Sequence, residues 1–118
     1  MIYLLIIILL LFPATAHAEW TTLDTVLQVT GLFLIDLDRR QTIAIGKDGA
    51  ETNPYLGGHP SHGQVNRYFL ATATIFTAGS LVLTNEKFPW RTLWHGIWIG
   101  TEANATYHNY LLGVRCQW

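Results

Sequence analysis

Apolar residues dominate long stretches of the chain, from Ile2 to Phe12, Leu23 to Leu37, Tyr68 to Thr84, and from Pro89 onward. Charged and turn-forming residues gather between them. No stretch alternates in the way a half-buried strand would. The pattern predicts an all-α fold. Helices are expected from about Thr22 to Ile45, from about Ser61 to Thr84, and from about Pro89 to Val114. Thr22 or Asp24 suits the first N-cap. Gly46 and Gly49 should end that helix. Pro60 and Ser61 mark the start of the second, and Asn85-Glu86-Lys87 with Pro89 its end. Pro89 fits the first turn of the third.

The first stretch has a different character. It ends at Pro13 and is followed by Ala16-His17-Ala18. An apolar run of this length before an Ala-x-Ala site predicts a secretory signal peptide at 1–18, leaving a domain at 19–118. No Lys or Arg precedes the run, so an uncleaved first membrane helix is the alternative. The run is shorter than the roughly 20 residues that span a bilayer. Either way Glu19 begins on the outer side. The expected architecture is a small membrane bundle, with three helices after the signal peptide or four if it is retained.

Polar residues inside the apolar stretches form stripes, because positions three, four or seven apart share a helix face. On the first helix these are Asp24, Gln28, Gly31, Asp38 and Thr42, with Asp36 and Arg40 as a separate pair. On the second they are Asn66, Ala73, Thr77, Ser80 and Thr84. On the third, Arg91, His95, Glu102, Thr106, Asn109 and Gly113 form one stripe, and Thr101, Asn104, His108 and Arg115 another. A charged side chain at a bilayer centre costs about 2.5–3.5 kcal/mol on insertion scales. Glu102 and Asp36 are therefore expected to face the bundle interior or a wet cavity.

Composition narrows the function classes. The chain has 118 residues, is 50% hydrophobic and 13% charged, and carries a net charge of −1. It lacks the basic face that nucleic acid would need. Its single cysteine, Cys116, excludes an intramolecular disulfide and a Cys/His zinc motif. A mean hydropathy of +0.24 is modest for a membrane protein, which keeps a secreted soluble helical domain as an alternative. Trp90, Trp94 and Trp98 toward one end of the third helix, and Tyr107 and Tyr110 toward the other, suit two membrane interfaces. Arg39, Arg40, Lys47 and Arg67 flank the central loop, against Lys87 and Arg91 at the next. Basic residues favour the cytoplasmic side. The bacterial inner membrane is expected, with the central loop and C-terminus cytoplasmic.

The segment from Glu51 to Tyr68 carries turn chemistry in Asn53-Pro54, Gly57-Gly58 and Pro60-Ser61. Its Glu51, His59 and His62 are expected at the membrane surface near Asp38, Arg39 and Arg40. The candidate binding set for a membrane partner or lipid-like ligand is Asp38, Arg40, Thr42, Glu51, Asn53, His59, Asn66, Glu102 and Asn109. An intramembrane enzyme is the competing reading, with Glu102 or Asp36 as acid or base and His95 or His108 assisting. Glu51, His59, His62, His95, Glu102 and His108 are the available metal donors. Their spacing gives no convergent set, so no metal and no cofactor are expected. Membrane lipid, a membrane-protein partner or a second copy are the expected partners.

Trp20-Thr21-Thr22-Leu23-Asp24-Thr25, Asp38-Arg39-Arg40-Gln41-Thr42, Glu51-Thr52-Asn53-Pro54, Leu56-Gly57, His59-Pro60-Ser61 and Val65-Asn66-Arg67-Tyr68-Phe69 stand in this order along the chain. With Trp98-Ile99-Gly100-Thr101-Glu102 and His108-Asn109, they resemble a group of small membrane proteins of tailed phages, prophages and proteobacteria. The likeness covers nearly all the chain after Trp20. The group has no assigned activity. The resemblance implies a bacterial or phage membrane protein with a signal-like N-terminus, and no catalytic role.

Overall fold

The computed structural model describes residues 20–48 and 53–114, with the side chains of 46–48 left out. The expected signal peptide, Glu51 and Arg115 lie outside the described residues. Within them the chain is helical, with no strand: α1 is Thr22–Asp48, α2 is His62–Val82 and α3 is Trp90–Leu111. The all-α bundle expected from the apolar pattern is the observed architecture.

Helix boundaries follow from capping. The backbone N–H of Thr21 donates to the Asp24 carboxylate at 2.8 Å, and that of Asp24 donates to the Thr21 hydroxyl at 3.1 Å. Thr21 is thus the capping residue, in place of the expected Thr22 or Asp24. Asp24 serves as its reciprocal partner and places negative charge at a helix N-terminus. α1 continues through Gly46 to Asp48, beyond the expected end at Ile45. Ser61 and Gln64 form a reciprocal capping box at the start of α2. α2 stops at Val82 rather than Thr84. At the start of α3, Pro89 supplies no side-chain cap. Instead the Asn85 side-chain oxygen accepts from the backbone N–H groups of Arg91 and Thr92. α3 stops at Leu111, short of Val114, because Gly113 takes φ 85°. Its N–H donates to the Tyr110 carbonyl, and the Val114 N–H donates to that of Asn109. This paired bonding closes a helix through a left-handed glycine.

Two contacts between α1 and α3, Asp24 with Arg91 and Gln28 with His95, have the same sequence separation of 67 residues. The two helices therefore run parallel, and α2 runs against both. The apolar core comprises Leu32 and Ile35 of α1, Val65, Phe69, Ala73 and Phe76 of α2, and Leu56 of the central loop. Trp94 and Trp98 of α3 pack against it. Gly31 lies against the Phe76 ring and Gly79 against the Trp94 ring, with no room for a Cβ at either. The Trp94 indole N–H donates to the Phe76 carbonyl at 2.9 Å, fixing α3 on α2.

α3 is built the other way round from an ordinary amphipathic helix. Its buried residues are Arg91, His95, Glu102 and Thr106, all polar. Leu93, Ile97, Tyr107, Tyr110 and Leu111 are exposed. α1 likewise exposes Leu23, Val26, Val29 and Phe33, and α2 exposes Leu70, Ile75, Leu81 and Val82. Taken whole, no helix among the described residues is long and apolar enough to cross a membrane. The membrane component of the expected architecture is thus not visible in helix apolarity.

Candidate functional site

The polar stripes of α1 and α3 meet along most of their length and form a buried seam. At one end lies Arg91, 1% exposed. Its Nε donates to the Ser80 carbonyl at 2.8 Å and its Nη1 to Asp24 at 3.4 Å. The guanidinium sits over the Trp20 ring at 4.8 Å from the centroid. One side chain thereby ties the N-terminal turn of α1, the C-terminal turn of α2 and the start of α3. Guanidinium suits this position, because it offers several donors in a fixed plane and stacks on aromatic rings.

One turn further in, Gln28 bridges all three helices. Its amide donates to the Thr77 hydroxyl at 3.0 Å, and its carbonyl oxygen lies 3.0 Å from His95 Nε2. The contact assigns the proton to Nε2, leaving Nδ1 as the acceptor nitrogen. That Nδ1 is buried without a hydrogen-bond partner. The ring lies edge-on to Trp20 and Phe76.

At the other end the seam becomes acidic. The Asn109 amide donates to Asp38 at 3.0 Å and to the Gln41 side-chain oxygen at 3.3 Å. The Gln41 amide donates to the Thr106 carbonyl at 3.2 Å. The Glu102 carboxyl lies near that of Asp38. Its Oε2 is buried and has no partner. Thr42 is buried at the same end.

The expected site residues thus divide. Asp38, Thr42, Glu102 and Asn109 come together with His95 further along the seam. Asp36 lies apart, bonded at 2.8 Å to both Arg39 and Arg40. Arg39 also reaches the exposed Asn66 at 3.1 Å. His59 and His62 are exposed on the loop and the first turn of α2, and His108 is exposed on α3. Asn53 acts locally, accepting from the Tyr55 N–H at 3.0 Å. The loop docks by burying Leu56, stacking Tyr55 on Tyr68, and turning at Gly57 with φ 74°. Among the described residues, neither Glu102 nor Asp36 is hydrogen-bonded to a histidine. Among the described residues no group of three His, Cys, Asp or Glu side chains could hold a metal ion.

Asp24, Gln28 and Arg91 lie on the expected stripes but outside the candidate sets, and two further members of the seam lie on no expected stripe. Gln41 is 5% exposed and bonds both Thr106 and Asn109 of α3 at the acidic end. Its position three residues after Asp38 on one helix face was the available signal. Trp20 precedes α1 and gives no periodic signal at all. No family model matches the chain, and no curated protein or solved structure matches it.

Proposed function

We propose that the chain is a small membrane-embedded binding protein of a bacterial or phage envelope, with the polar seam at its centre and its apolar faces on lipid. The observation that carries this reading is the inversion of inside and outside. Among the described side chains, the exposed charged residues are Arg67, Glu86 and Lys87, all at helix ends or turns. Between those ends the described surface carries no exposed charged side chain and is mostly apolar, with Asn104 and several threonines as its polar members. A water-facing bundle would carry charge along the whole length of its helices.

Helix dimensions agree with the reading. α2 has 21 residues, or about 31 Å at 1.5 Å per residue, against a hydrocarbon core of about 30 Å. Low apolarity averaged over each helix has a local cause. The average counts the seam residues, which lipid would not meet. The exposed hydroxyls also suit an apolar surround. Thr30, Thr74 and Thr101 each donate to the carbonyl four residues earlier at 2.8 Å, so none needs water. Arg39, Arg40 and Arg67 cluster at the central-loop end, and basic residues favour the cytoplasmic side, which supports a cytoplasmic central loop.

A membrane protein or a second copy fits the exposed face of α3. Gly96 and Gly100 are four residues apart there, with nothing within 4 Å of a Cβ at either. This spacing lets membrane helices approach closely.

Alkaline carbonate extraction of membranes from cells expressing the full chain tests the placement. The protein is expected to stay in the membrane pellet, and release into the supernatant would overturn the reading. A reporter inserted at Gly57 should score cytoplasmic; a periplasmic signal would reverse the orientation.

A further inference from the structure

We propose that His95 is an acid-sensitive latch of the bundle: a second proton on its ring opens the packing at the Trp20 end of the seam. The ring is fully buried, at 0% exposed. Its Nε2 lies 3.0 Å from the Gln28 side-chain oxygen, which accepts from it. Its Nδ1 is buried with no hydrogen-bond partner. The walls around the ring are aromatic, with the Trp20 ring centroid at 6.3 Å and that of Phe76 at 5.6 Å, both edge-on. The neutral ring leaves one lone pair unfilled here. The charged ring would carry a second N–H, and a desolvated charge with it, where no acceptor stands.

Neighbouring charges do not offset that cost. Asp24 faces the ring from α1, and Arg91 from α3. These two are paired with each other at 3.4 Å, and Asp24 also accepts from Thr21, so their fields at the ring oppose. α2 has no charged residue after Arg67 and meets the ring through Phe76. Glu102 stands two turns further along α3, about 10 Å away by helix rise. An imidazolium at this position therefore draws water into the seam. Trp20 is the half-buried wall, placed before the first turn of α1, so water enters by displacing it. The ring is joined through Gln28 to Thr77 of α2, and loosening it loosens all three helices. Histidine suits this role because its charge changes within the physiological pH range.

The latch belongs to the folded chain and does not rest on the bilayer. An unfolded chain takes up the His95 proton freely and the folded chain only by opening, so stability must fall as pH falls. The test is thermal unfolding of the full chain in detergent between about pH 7.5 and about pH 5.5, which spans the ordinary titration of imidazole. Tm should drop by about 4 °C or more toward the acid end. His95→Gln keeps a donor for Gln28 and cannot titrate, so it should lose most of this dependence. Should that variant not fold, Gln28→Glu sets a carboxylate beside the ring and should shrink the acid loss or reverse it. Acrylamide quenching of the fluorescence that Trp20→Phe removes should also rise toward acid pH. A wild-type Tm that is flat across the range, an acid loss that both variants keep in full, or Trp20 quenching unchanged by acid would overturn the proposal.

Discussion

Arg91 shows how a single residue can anchor one end of this molecule. Its guanidinium is 2% exposed and its partner Asp24 1%. Removing one member of such a pair leaves the other charged and dry, which costs about 3–5 kcal/mol. Arg91→Ala should therefore destabilise the bundle by about that amount in chemical denaturation, and Arg91→Lys should rescue little. Lysine lacks the planar fork that reaches Ser80 and Asp24 together while covering Trp20. Gln28 is the next such residue. Gln28→Leu would strip a partner from both Thr77 and His95. Each orphaned buried group costs about 1–3 kcal/mol, and a thermal melt of the variant would measure the sum.

At the scale of the element, caps and close approaches set the helices. The Ser61–Gln64 box starts α2 directly after the Pro60 turn. Ser61→Ala should cost about 0.5–2 kcal/mol of stability, checked by the same melts. Gly79 is a different constraint. A Cβ there would enter the Trp94 ring, and Trp94 is held by its bond to the Phe76 carbonyl. Gly79→Val should overpack the α2–α3 contact and cost about 1–3 kcal/mol. The same substitution at Gly100, which faces open space, should leave the isolated bundle's stability nearly unchanged. Loss of stability there equal to that at Gly79 would contradict the packing described.

The whole molecule is governed by which surface meets which solvent. Ile97 is 65% exposed in the middle of α3. On a water-facing protein, Ile97→Arg would change stability by no more than about 0.5 kcal/mol. Facing lipid, it would cost about 2.5–3.5 kcal/mol on insertion scales. Membrane-fraction yield of the variant against wild type therefore separates the two surroundings. A variant that accumulates normally and unfolds at the wild-type temperature would count against lipid contact.

Much of the architecture is legible in the chain itself. Period and punctuation identify the helices, because apolar spacing and turn residues such as Asn53-Pro54 and Pro60-Ser61 act locally. The stripes of Asp24, Gln28 and Asp38, and of Arg91, His95 and Glu102, are visible for the same reason: helical geometry alone puts them on one face. Stripe against stripe is a tertiary fact. That Glu102 meets Asp38 rather than a histidine depends on α1 and α3 running parallel in a particular register. That Trp20 lies under Arg91, and that Asn85 caps α3 from the preceding turn, depends on chain reversals with no periodic signal. Helix ends also moved, since Thr21 acts through specific hydrogen bonds and Gly113 through a left-handed turn. The sequence by itself determined the elements and the stripes along them, since both follow from spacing along one helix. Only the tertiary structure decided which polar groups pair across the seam, because partners 67 residues apart are chosen by register and not by local pattern.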